Sequence, residues 1–68
     1  MTAISRHLIL RPAGLTNWWA LVDRATGRRI VYAGHVQAAL FLSALMERHM
    51  QAGITFDEAY FNALKEAS

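Results

Sequence analysis

The sequence predicts a single α+β domain over residues 1–68, a three-stranded antiparallel sheet followed by two helices packed on one of its faces. Three observations predict it. Two β-branched and aromatic runs, Trp18–Asp23 and Arg28–Ala33, flank a stretch of turn-forming residues. After Gly34 the hydrophobic period lengthens from two to that of a helix. Thr55-Phe56-Asp57-Glu58 then carries the signature of a helix N-terminus. Strands that precede helices, rather than alternating with them, give an antiparallel sheet with its helices on one side.

The first strand is expected at about residues 4–11, where Leu8, Ile9 and Leu10 lie between arginines, and Pro12 stops it because proline has no N–H for a ladder. Residues 12–17 hold Pro12, Gly14, Thr16 and Asn17 and read as a loop. The second and third strands, 18–23 and 28–33, form a hairpin. Asp23 suits the opening of its turn, and Gly27 suits the left-handed position that follows. Helix one is expected over about 35–52, with Ala38, Ala39, Leu42, Leu45, Met46 and His49 on one side and Gly53 as its terminating glycine. Helix two, about 55–66, starts from a capping box in which Thr55 and Glu58 exchange hydrogen bonds, and it buries Phe56, Tyr60, Ala63, Leu64 and Ala67.

Composition narrows the function classes. Cysteine is absent, so neither a disulfide nor a thiolate metal site is available to a domain small enough to need support. Hydrophobic residues make up 54% of the chain, more than the roughly 45–50% usual in soluble domains. The longest apolar-rich stretch, residues 36–46, is too short for a bilayer, which needs about 20 residues. The N-terminus has no uninterrupted apolar segment of the export type, so a cytoplasmic location is the default expectation. Charge is split. Residues 1–34 carry Arg6, Arg11, Arg24, Arg28 and Arg29 against Asp23 alone, and residues 35–68 carry Arg48 and Lys65 against Glu47, Asp57, Glu58 and Glu66.

The hairpin does not alternate cleanly between apolar and polar residues. Adjacent side chains on a strand face opposite sides, so Trp18 and Trp19 cannot share a face. Two helices cover one face of so small a sheet, which leaves a tryptophan and several aliphatic groups on the other. A connected apolar patch of that kind marks an interface. The expected function is therefore a non-catalytic protein–protein interaction module (an adaptor, inhibitor or accessory subunit) that self-associates, with a two-fold homodimer as the simplest partner arrangement. The candidate partner-binding residues are Trp18, Arg24, Arg28, Arg29 and Tyr32, the tip and aromatic body of the hairpin. The runner-up is a small nucleic-acid-binding protein that uses the basic hairpin, since arginine offers paired donors to phosphate.

Other chemistry finds little support. His7, His35 and His49 have no metal-ligand spacing, and no metal or other cofactor is expected. Ser5, Ser43 and Ser68 lie in no nucleophile elbow, and Gly14, Gly27, Gly34 and Gly53 are too scattered for a phosphate loop. A chain this short has little room for both a core and a pocket of several hundred Å³, so neither catalysis nor a small-molecule substrate is expected. The order of elements is too common to carry function by analogy.

Overall fold

A computed structural model describes residues 1–68, and in it the strands precede the helices. The elements are β1 (Ala3–Ile4), β2 (Leu8–Pro12), β3 (Trp18–Asp23), β4 (Arg29–Ala33), α1 (Val36–Gln51) and α2 (Phe56–Ala67). The sheet is a four-stranded antiparallel meander in the order β1-β2-β3-β4. It has one strand more than the three expected, because the segment read as one strand over 4–11 is two.

The break at residues 5–7 has a cause 40 residues away. Glu47 of α1 accepts hydrogen bonds from the Ser5 hydroxyl at 2.7 Å, the His7 backbone N–H at 2.9 Å, the His7 ring Nδ1 at 2.5 Å and the Gln51 amide at 3.2 Å. These bonds fold residues 5–7 over the helix and turn β1 back along β2. Glu47 is buried, and burial alone pushes its carboxyl up. The bonds from His7, Ser5 and Gln51 outweigh that and hold it lowered to about 2.

Pro12, expected to end the first strand from outside, is the last residue of β2. Ala13 N–H bonds to the Trp18 carbonyl, so by alternation the Pro12 nitrogen points away from β3. On that side β1 reaches no further than the partner of Leu10, and the missing donor costs no ladder bond. The hairpin turn forms as read. Gly27 takes the left-handed region at φ 79°, its N–H and the Arg28 carbonyl both bond to the Asp23 backbone at 2.8 Å, and the Asp23 carboxylate holds Ala25 N–H and the Thr26 hydroxyl.

Both helices are terminated by their own sequences. His35 caps α1, its Nδ1 accepting from Gln37 N–H at 3.3 Å. At the other end Gly53 is left-handed, and Gly53 and Ile54 donate to the Met50 and His49 carbonyls in a Schellman pattern. Thr55 caps α2 by accepting from Glu58 N–H at 3.4 Å, while Glu58 does not return the bond, so half of the expected capping box is made.

The core lies between one sheet face and the helices. Leu8, Leu10, Leu21, Leu42 and Met46 are fully buried and join Ala39, Leu45, Phe56, Ala59 and Ala63 in one cluster. Helix α1 rests on β2 and β3, and α2 packs chiefly against α1. Ala38 and Ala67, expected in the buried stripes, are exposed at the helix ends. The accessible surface is 4305 Å², and a compact monomer of this mass is expected to expose about 4,300 Å². Exposed apolar groups therefore follow from where the chain puts them, not from a loosely packed fold. No helix is long and apolar enough to cross a membrane.

Candidate interaction surface

The register divides the sheet's side chains between two faces. Leu8, Leu10, Trp19, Leu21, Ile30 and Tyr32 face the helices. The outer face carries Ile4, Ile9, Val22 and Arg29 in one cross-strand row, then Arg11, Ala20 and Val31, then Trp18 and Ala33. No helix covers this side. Ile4 is 67% exposed, Trp18 43% and Val31 40%. Ala20 and Val22, in the middle of β3, are buried under these neighbours alone. The only charges on this face are Arg11 and Arg29, and it has no carboxylate.

The two tryptophans separate as strand alternation requires. Trp19 turns inward, packs on the core and donates its indole N–H to the Gly34 carbonyl at 3.0 Å. Its cross-strand partner Tyr32 lays its ring over Gly34, where an added Cβ would sit 2.7 Å from a ring carbon and would force the ring to move. Tyr32 also lies near Tyr60, whose hydroxyl is pushed up by burial and by its proximity to Tyr32.

The five candidate residues are thus distributed over three places. Trp18 and Arg29 share the outer face but lie at opposite ends of the hairpin, and Tyr32 is on the inner face. Arg24 folds back to donate to the Ser5 carbonyl at 2.8 Å, and Arg28 pairs with Asp57 of α2 at 3.0 Å. The structure adds Ile4, Ile9, Arg11 and Val31 to the Trp18 face. Val31 was reachable from alternation across the hairpin. Ile4, Ile9 and Arg11 depend on the β1–β2–β3 register, which no local pattern specifies.

The backbone of β4 is the second feature of this surface. Asp23 N–H bonds to the Arg28 carbonyl and Gly34 N–H to the Asn17 carbonyl, so the residues of β4 that bond to β3 are Ile30 and Tyr32. The N–H and C=O groups of Arg29, Val31 and Ala33 point out of the sheet. The other edge is different, because β1 is two residues long. Native sheets blunt an edge with short strands, charged side chains, proline or bulges. β1 is blunted by its length, whereas β4 is five regular residues with no proline and a single charge, Arg29, at its turn end.

A cleft of about 410 Å³ lies between the hairpin turn and the α1–α2 loop, with His7, Asp23, Arg28, Ile54 and Asp57 on its walls. Its polar groups mostly serve the fold. Asp23 holds the turn, His7 binds Glu47, and Arg28 binds one oxygen of Asp57 while the other, Oδ1, is buried without a partner. His49 and Glu66 pair across the two helices. Nowhere are three His, Asp or Glu side chains gathered closely enough to hold a metal ion. No protein family, curated protein or solved structure matches this chain.

Proposed function

We propose that this chain is a non-catalytic, cytoplasmic protein–protein interaction module that self-associates and acts as an adaptor, inhibitor or accessory subunit by occupying a surface. The observation that carries the reading is the outer sheet face. Its exposed Trp18 and Val31 are diagonal neighbours beside the closed centre of β3, exposed Ile4 lies on the far strand β1, and arginine is the only charge. Tryptophan and arginine are the residues most enriched in binding hot spots. Of the two carboxylates in the cleft, Asp23 already holds the hairpin turn and Asp57 pairs with Arg28, which supports a role in binding rather than acid–base chemistry.

The runner-up, nucleic-acid binding through the basic hairpin, is weakened because two of its three hairpin arginines, although exposed, already hold partners inside the chain, Arg24 the Ser5 carbonyl and Arg28 Asp57. Light scattering over a dilution series from about 1 μM to 1 mM, a range suited to a small interface, tests the first reading. The wild type is expected to associate, and Trp18→Ser to associate more weakly while keeping its far-UV spectrum. A strict monomer at every concentration overturns self-association. A salt-dependent mobility shift with generic DNA, weakened by Arg28→Ala and Arg29→Ala, replaces this reading with the runner-up.

A further inference from the structure

We infer that the partner is a second copy of this chain, joined through β4 in an antiparallel two-fold pairing centred on Val31, so that two four-stranded sheets become one of eight strands. The inference rests on the self-association proposed above and gives it a specific geometry.

The free backbone groups fix the register. Only Arg29, Val31 and Ala33 present N–H and C=O outward, so an antiparallel copy joins through those three positions. A two-fold axis at Val31 pairs Val31 with its own equivalent and Arg29 with Ala33 of the partner, and all three outward residues of each chain are then satisfied. Ile30 and Tyr32, half-buried at the edge of the core, come to lie beside each other across the junction. A sheet with one open edge and one blunted edge closes at two copies. Two open edges would continue into a fibre.

Charge and shape fit the same register. Pairing Arg29 with Ala33 holds the two Arg29 side chains about 13 Å apart along the strands, beyond the screening length of about 8 Å at physiological salt. Ala33 lies beside Trp18 in the register of β3 and β4. Each Arg29 therefore reaches across the small Ala33 of the partner toward the exposed Trp18 indole of that copy, two strand spacings or about 10 Å from its own Cα. The pairing covers the β4 edge and the Trp18 end of each outer face and leaves the Ile4 end open.

Because the chain has no cysteine, single introduced cysteines report this register without background. In a hydrogen-bonded antiparallel pair the facing Cα atoms are about 5.5 Å apart, within the roughly 4.4–6.8 Å a disulfide spans. Val31→Cys, Arg29→Cys and Ala33→Cys are oxidised at a concentration where the wild type is dimeric by sedimentation. The expected result is a disulfide-linked dimer as the main product for Val31→Cys and only background for the other two. In parallel, Val31→Pro removes an N–H that the β3 ladder does not use. It is expected to fold as the wild type does and to remain monomeric at that concentration. A dimeric wild type in which the Val31→Cys variant crosslinks no better than the other two overturns the edge pairing and leaves self-association standing. A wild type that is monomeric throughout overturns both.

Discussion

Replacing Leu21 by alanine is expected to remove a large share of the chain's stability, about 2–5 kcal/mol, and to lower its unfolding midpoint accordingly. Leu21 is fully buried at the centre of β3, between Leu10 on β2 and Ile30 on β4, and belongs to the core cluster with α1 and α2. Truncating a buried leucine costs about 2–5 kcal/mol, the upper part applying where the surroundings cannot collapse into the gap. A central strand bonded on both sides is such a place. The whole stability of a chain this length is about 3–10 kcal/mol, and no disulfide adds to it. Urea titrations followed by circular dichroism check this, with Leu40→Ala as the comparison. Leu40 is 38% exposed on the outer side of α1, and its loss is expected to cost roughly 1 kcal/mol, well below that of Leu21. A Leu21→Ala variant that unfolds at the wild-type midpoint contradicts the placement of the core.

Glu47→Ala is expected to produce the second largest loss, about 2–4 kcal/mol, although Glu47 is not part of the apolar core cluster. The variant leaves the Ser5 hydroxyl, the His7 N–H and the His7 ring without their acceptor, and it frees the turn that separates β1 from β2. The pH dependence carries the same information. The Glu47 carboxyl lies lowered from 4.5 to about 2 in the folded chain. The unfolded chain therefore takes up its proton first as the solution is acidified. The contribution of Glu47 is complete above pH 4.5 and disappears as the pH falls towards about 2. That contribution is on the order of 3 kcal/mol. Stability profiles of the wild type and Glu47→Ala should stay separated near neutrality and converge in that acid window. Profiles that remain parallel down to the lowest pH contradict the role given to the network.

This network also explains the main difference between the fold read from sequence and the fold observed. Both helices, the hairpin and the left-handed Gly27 were legible because each is signalled within a few neighbouring residues: Asp23 with Gly27, Gly53 after α1, Thr55 before α2. The split of the first strand was not, because Ser5 and His7 turn for a carboxylate 40 positions or more away. The candidate surface shows the same division. That one tryptophan would face outward follows from alternation alone. That Trp18 is the one depends on which face receives α1 and α2, which is a property of the assembled core. The sequence groups Tyr32 with Trp18 as the aromatic body of the hairpin, yet the register pairs it with Trp19 on the inner side. Arg24 and Arg28 look free in the sequence, but the turn brings them to the Ser5 carbonyl and to Asp57. The openness of β4 is a matter of topology, because α1 leaves the end of that strand and settles over β2 and β3 instead of lying along its edge.

Amide hydrogen exchange along β4, followed by NMR as the protein is concentrated, tests the open edge most directly. Ile30 and Tyr32 bond to β3 and should be protected at every concentration. Arg29, Val31 and Ala33 should exchange freely when dilute and slow together as the protein is concentrated. Free exchange at those three amides throughout the series, with Ile30 and Tyr32 still protected, would mean that no second strand ever docks there.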